Sequence, residues 1–421
     1  MHTELKNSIA QLFQKGNVPK AEILLRSHLE NEPNDYEAFF YLGKIAEAIN
    51  LPNFAIDYFN ESLRLAPHWQ LAKEARSQVT KHLAENQGLS LIDRQKAGLV
   101  QNTEKFILIK AWGYGFWSDV SHVLAHLLVA ELTNRTPIVH WGTNSLFSDG
   151  TSANAFEFYF ETFSKLGIAD IKKEEIDIWP PKWNLVNLTE PEVNKWSGPN
   201  SRIAGLYLLG RKERLIVSDF ISSVVDIQPW IPRDHHLHGL SIDDLWKYLV
   251  RKYLHPTREI LAEVDRYYEM NFASQEFLAV HMRGSDKRIE QKRLDEFNRQ
   301  YKALIDRNLQ ENKLQKIFLM TDDTRILEFF RHNYGENVIT TNCQRTSSTT
   351  GVHYLSDSDK RQLGKEVMID VYLAARAKFF VGNGFSNPSL FVRYLKDWHN
   401  DNVKLLGTNM FHMRNVLVHN W

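Results

Sequence analysis

Apolar and polar residues alternate in two distinct rhythms along the chain. Over the first hundred residues the apolar and small positions recur at helical spacing, and they recur again 34 positions later. Gly16 matches Asn50, Ala21 matches Ala55, Leu25 matches Phe59, Leu29 matches Leu63 and Pro33 matches Pro67. Small residues at matched places let antiparallel helices approach closely, and the prolines fall where one helical pair ends and the next begins. The pattern predicts an all-helical segment over 1–85, complete in the middle unit (34–67) and closed by a single capping helix. An ordinary helical bundle sharing the offset is the plainer alternative. Residues 86–104 are polar, carry two glycines and read as a linker.

Beyond residue 105 the rhythm changes to short apolar runs separated by helical stretches. Phe106–Ile109 reads as a buried parallel strand. A turn bearing Gly113 and Gly115 follows, then a helix over 120–133 capped by Ser118 or Asp119, then a strand from Pro137. This is a βαβ unit. The glycine turn has neither the third glycine of a dinucleotide fingerprint nor the Lys and Ser/Thr of a phosphate loop. It faces a ligand at a sheet edge or simply makes a tight turn. Residues 241–270 read as helix, started by Ser241 and broken at Pro256.

From Glu276 four more strands are predicted: FLAVHMR, KIFLMTDD (316–323), NVITT (337–341) and AKFFVGNGFS (377–386). Helices are expected at 295–310, 324–333, 361–376 and 387–397. Alternation of this kind predicts a doubly wound, mostly parallel α/β sheet, so the chain reads as two Rossmann-like halves behind a helical segment. The expected boundaries are 105–270 and 271–400, with 401–421 a tail that packs back.

Composition narrows the classes. The 421 residues carry 51 Lys plus Arg and 51 Asp plus Glu, so no basic excess points to nucleic acid. One cysteine, Cys343, excludes an internal disulfide and a Cys-based zinc site. No stretch is long and apolar enough for a membrane span, and the N-terminus lacks a signal-peptide pattern, so a cytoplasmic location is expected. His235, His236 and His238 are too close together to serve one metal without a strained loop, so metal ligation is not expected.

The candidate chemistry sits just past the predicted strands, where open α/β sheets bind ligands. His281, Arg283, Gly284, Asp286 and Lys287 follow one strand. The Arg283 fork matches two phosphate oxygens, and Gly284 keeps the backbone close to a ligand. Asp322 and Asp323 follow the next strand and either contact ligand or cap the helix behind them. Asp370 lies on an otherwise apolar helix, where a charge needs a partner or ligand. Ser386 and Asn387 open a helix whose free N–H groups suit a diphosphate. Asp219 marks the rim of the first half.

HMRGSDK at 281–287 resembles the His-x-Arg-x-x-Asp-Lys element of the α1,6-fucosyltransferase superfamily. IFLMTDD at 317–323 and DVYLAARAKFFVGNGFSNPSLFVRYL at 370–395 resemble its second and third elements. WKYLVRKYLHPTREI at 246–260 is similar to the helix before the first. The front segment resembles the tetratricopeptide repeat, whose period is 34. The superfamily resemblance implies a two-Rossmann (GT-B) glycosyltransferase that transfers fucose from GDP-fucose to a glycan acceptor with inversion and no obligatory metal. It implies that Arg283 neutralises the departing GDP, His281 assists at the nucleotide, and Asp370 contacts guanine. It implies that Ser386 meets the phosphates and that Asp322 and Asp323 shape the nucleotide side.

Two positions depart from the family. Its catalytic glutamate lies four residues past the motif lysine, and that place holds Gln291 here, so Glu290 or Asp219 is the expected base. Its second arginine is Gly284 here, which leaves another nucleotide sugar open as donor. A non-catalytic repeat scaffold that binds a nucleotide sugar is the rival from a different class. The repeats are expected to serve docking, as a homodimer or with a protein partner.

Overall fold

The computed structural model describes residues 1–87, 104–151, 153–171, 176–191, 205–219, 222–273, 275–355 and 359–414. Most of the expected linker and the last residues of the expected tail lie outside them.

The front segment is five helices: α1 (Thr3–Gln14), α2 (Val18–Asn31), α3 (Tyr36–Ala48), α4 (Pro52–Leu65) and α5 (Gln70–Gln87). Their starts at 18 and 52, and at 36 and 70, keep the 34-residue rhythm. Asp35 caps α3 by accepting from the Glu37 and Ala38 N–H groups at 2.9 and 3.2 Å. Ala21, Leu25, Ala55 and Phe59 are fully buried, and a side chain at Gly43 would collide with the Phe59 ring.

The first sheet consists of β1 (Phe106–Lys110), β2 (Thr136–His140), β3 (Ile178–Trp179) and β4 (Leu215–Ser218), with α6 (Phe116–Thr133) between β1 and β2. The order is β2-β1-β4-β3 and every pairing is parallel. All of β1 is buried, which is why it reads as an unbroken apolar run. Helix α6 begins four residues earlier than the pattern predicts. Gly115 is its N-cap, and Asp119, an expected cap, instead reaches back inside the first turn.

Ser241 caps α7 (Ile242–Tyr253), and the chain breaks at Pro256 before α8 (Arg258–Asn271). The second sheet holds β5 (Phe277–His281), β6 (Lys316–Met320), β7 (Val338–Ile339), β8 (Phe379–Asn383) and β9 (Val403–Leu406). They alternate with α9 (Tyr301–Asn312), α10 (Thr324–Tyr334), α11 (Lys360–Ala374) and α12 (Asn387–Tyr394). The order is β7-β6-β5-β8-β9, all parallel. Three details differ from expectation. The helix expected over 295–310 is split at Arg299 and Gln300, α12 stops at Tyr394, and the expected tail supplies the edge strand β9.

One apolar core runs through both halves. Trp117 of α6 packs on Phe391 of α12 at 4.4 Å between ring centroids, and Trp246 of α7 stacks on Phe411 at 3.9 Å. Asp243 at the start of α7 accepts hydrogen bonds from Arg393, Tyr394 and His412, each at 2.6 Å. The helical segment docks on the first half through a second cluster that includes Leu206 and Trp230. A cleft of about 460 Å³ opens between the carboxyl end of β5 and the turn after β1, with walls from both halves.

Candidate functional site

The cleft begins where β5 runs out. His281 is its last residue and is almost wholly buried, with Nδ1 2.6 Å from the Ser389 hydroxyl of α12. Burial, and then the neighbouring Arg283 charge, hold its imidazole down to about 3, so it is neutral at physiological pH. Its hydrogen bond ties the end of β5 to α12.

Arg283 follows. Its guanidinium lies 2.8 Å from Asp286 Oδ1 and 2.8 Å from Asp322 Oδ2. Burial alone would lower its pKa, and the Asp322 and Asp286 charges more than offset that. Its Nε is buried and has no acceptor among the described residues. Asn298 holds the Arg283 carbonyl at 3.0 Å, so the fork is braced from backbone and side chain alike.

Asp322 and Asp323 divide the two roles left open by the sequence. Asp322 lines the cleft. Burial opposes its charge, but Arg283, the Ser285 hydroxyl and the Gly284 N–H keep its pKa below the usual carboxylate value. Asp323 is fully buried and outside the lining. It caps α10 through the Arg325 N–H at 2.9 Å and pairs with the Arg325 guanidinium at 3.0 and 2.7 Å. Gly284 is pressed against it: a Cβ there would come within 2.2 Å of Asp323 Oδ2. A side chain at position 284 would therefore collide with Asp323.

Lys287 and Glu290 stand on the short helical turn that leaves Arg283, with Nζ to Oε2 at 2.6 Å. Glu290 is 58% exposed and lines the cleft, so its carboxylate stands open to solvent. Asp370 enters from α11. It accepts from the Thr341 hydroxyl at 2.5 Å, and burial pushes its carboxyl up to about 6. Ser386, the N-cap of α12, and Asn387 complete the second-half wall, and the Ser386 hydroxyl makes no capping hydrogen bond.

The first half contributes Gly115 and aromatic side chains. Gly113 is not in the lining. Its φ is +85°, a backbone region that favours glycine, and its N–H is taken by Asp119 at 3.0 Å. The Tyr114 N–H also points to Asp119, at 3.4 Å. The amides of Gly113 and Tyr114 are thus spent on a side chain of α6. Asp219 is likewise outside the lining, fully buried and paired with Lys182 at 2.5 Å. Strand β4 ends at Ser218, and Lys182 stands against the carboxylate that follows it.

Residues that sequence reasoning passed over include Trp112, Tyr114, Phe147, His353 and Tyr354, all in the lining. His353 and Tyr354 follow a run of Ser, Thr and Gly that reads only as loop, so no periodicity announces them. Among the described residues no group of three His, Cys, Asp or Glu is arranged to hold a metal. His238 instead binds the Ile231 carbonyl at 2.9 Å, and His236 lies 3.2 Å from the Tyr248 hydroxyl. No helix among the described residues is long and apolar enough to cross a membrane.

Fold and site together define a mixed α/β chain: two parallel sheets share a cleft, and a helical unit precedes them. No family model matches the chain, and no curated protein matches it in sequence. Solved structures do resemble it. Fucosyltransferase NodZ from Bradyrhizobium is 17% identical with a TM-score of 0.42, over 69% of this chain and 93% of that one. POFUT1 in complex with GDP is 13% identical with a TM-score of 0.43, over 73% of this chain and 100% of that one. Arabidopsis thaliana FUT1 is 13% identical with a TM-score of 0.42, over 70% of this chain and 69% of that one.

Proposed function

We propose that this chain is an inverting glycosyltransferase that moves fucose from GDP-fucose to a glycan acceptor. The observation that carries the reading is Arg283. It is a fork only 18% exposed, braced by Asp286 and Asp322, with its Nε lacking an acceptor among the described residues, and it shares the cleft lining with the N-terminus of α12. A fixed cation in a low-dielectric cleft stabilises the negative charge that grows on a departing diphosphate. The motif order from 281 to 395 supports the same donor.

In this reading the acceptor hydroxyl oxygen attacks the sugar C1, and its proton passes to the Glu290 carboxylate. The C1–O bond to the diphosphate breaks and its electron pair leaves with GDP, met by Arg283. Lys287 holds Glu290 in place. Asp370 accepts from the guanine N–H donors, and Ser386 and Asn387 donate to phosphate oxygens. Asp322 orients Arg283, and neutral His281 fixes α12 beneath it. Asp219 is left out because Lys182 occupies it, and Asp323 because it caps α10. Residues 1–85 serve as a tetratricopeptide-like docking unit, 105–270 as the acceptor half, and 271 onward as the donor half.

Calorimetric titration with GDP-fucose, GDP-mannose, UDP-GlcNAc and GDP tests the donor. Loss of charge-assisted hydrogen bonds, each worth ~1.5–3 kcal/mol, is expected to weaken GDP-fucose binding by about 10–100-fold in Arg283→Ala. GDP-mannose binding alone would keep the fold and change the donor. No binding to any of the four would overturn the donor reading. Binding without transfer to any acceptor would favour a scaffold.

A further inference from the structure

The cleft that Glu290 lines is also walled by aromatic side chains that none of the donor chemistry uses. Trp112 is almost wholly buried, and its ring lies 5.0 Å from the partly exposed Tyr114 ring at an angle of 31°. Tyr354, in the same lining, is 52% exposed. Its ring lies 4.2 Å from His353, and the Lys360 ammonium donates to the carbonyls of His353 and Leu355 at 2.7 and 2.8 Å. Gly351, which starts this turn, lies flush against Asp286: a Cβ there would come within 3.0 Å of its Oδ2. The turn therefore passes close to the same carboxylate that braces Arg283. Partial burial and the charge of Asp286 also push the Tyr354 hydroxyl up, as expected for a phenol standing among carboxylates.

The charge of this wall selects its ligand. The lining carries Asp286, Glu290, Asp322, Glu366 and Asp370 against Arg283 and Lys287, and both of these cations are already paired. Among the described lining residues a second anion finds no unpaired Lys or Arg. A neutral polyhydroxyl ring does find a site, because its C–H face packs on aromatic rings and its edge hydroxyls donate to carboxylates.

Resting on the glycosyltransferase reading above, we infer that Tyr114, backed by Trp112, and Tyr354 form the acceptor subsite, and that the acceptor is a neutral oligosaccharide whose pyranose ring stacks between them beside Glu290. Tyr114 and Tyr354 are binding residues; Trp112 is a positioning residue behind Tyr114.

Saturation-transfer NMR on the full chain, with and without saturating GDP, tests this apart from the donor. The probes are cellotetraose, chitotetraose and mannotriose, with a serine- and threonine-rich peptide as the other class of acceptor. At least one oligosaccharide is expected to bind through its ring protons. Tyr354→Ala and Tyr114→Ala are expected to raise its Kd on the order of tenfold, while Tyr354→Phe keeps the stack and the affinity. GDP binding by calorimetry is expected to be unchanged in Tyr354→Ala, so failure of the donor reading would show there and not in the sugar signals. Three results would overturn the subsite: no oligosaccharide bound by the wild type, binding of the peptide alone, or an oligosaccharide Kd unmoved by both alanine variants.

Discussion

Asp370 is buried on α11 with the Thr341 hydroxyl as its hydrogen-bond donor, and burial lifts its carboxyl to about 6. Guanine offers only N–H donors to a carboxylate, so the proposed contact needs the anion. GDP affinity is expected to rise between pH 5 and pH 7.5, and Asp370→Asn is expected to weaken binding and remove that rise; calorimetry at the two pH values checks both. Folding responds with the opposite sign. The folded pKa lies above the unfolded value of ~3.9, so this group's stabilisation is full below about pH 4 and lost as pH rises through about 6. Without ligand, Asp370→Asn is therefore expected to gain on the order of 2–3 kcal/mol relative to wild type in urea unfolding at pH 8, and little at pH 4. Gly284 tests the neighbouring wall. Its missing Cβ would stand 2.2 Å from Asp323 Oδ2, so Gly284→Ala is expected to cost ~1–3 kcal/mol, read as a lower denaturant midpoint.

At the scale of elements, the acidic pair after β6 shows why position along a turn decides function. Asp322 still faces the cleft, whereas Asp323 is one residue further on and has become the N-cap of α10. Asp323→Ala is expected to cost ~1–2 kcal/mol for the cap alone, with a further loss from the orphaned Arg325. Asp322→Ala, by contrast, is expected to act on ligand affinity through Arg283; thermal unfolding and GDP titration of the two variants separate these effects. The central strands were legible because parallel strands buried on both faces become short apolar runs, as FLAVH and KIFLM do. Strand β9 was not, because Lys404 at the sheet edge is exposed and VKLL has no buried-strand signature. The start of α6 was misread for a different reason. Ser118 and Asp119 are good caps in isolation, but Phe116 and Trp117 are drawn into the core and pull the helix back to Gly115. Of the candidate site, the polar strand ends of the second sheet were legible by place. The aromatic wall was not, since stacking across a cleft leaves no period in the sequence.

At the scale of the whole molecule, the cleft and the helical unit draw on different apolar clusters. The cleft belongs to the cluster that spans both sheets, while the helical unit docks through Leu206 and Trp230 and shares no residue with the cleft lining. The docking is close. Phe54 and Tyr58 pack edge-on against Trp230 at 5.5 and 6.1 Å, and the Arg26 guanidinium lies 5.1 Å from its ring. Asn50 donates to the Gly210 carbonyl at 2.7 Å, and Tyr207 donates to the Gly16 carbonyl at 2.9 Å. A Cβ on Gly210 would fall 1.8 Å from the Ile49 carbonyl oxygen, so even alanine forces the layers apart. Trp230→Ala removes the shared aromatic and is expected to cost ~3–5 kcal/mol. Because among the described residues the two clusters meet only through Tyr207 and Leu209, Gly210→Ala and Trp230→Ala are both expected to loosen the helical unit first. Calorimetric unfolding should then split into two transitions, and limited proteolysis should release residues near 1–85. GDP affinity at 25 °C should stay at the wild-type value. A single transition with a lowered midpoint and weakened GDP binding would instead mean that the docked unit supports the cleft itself.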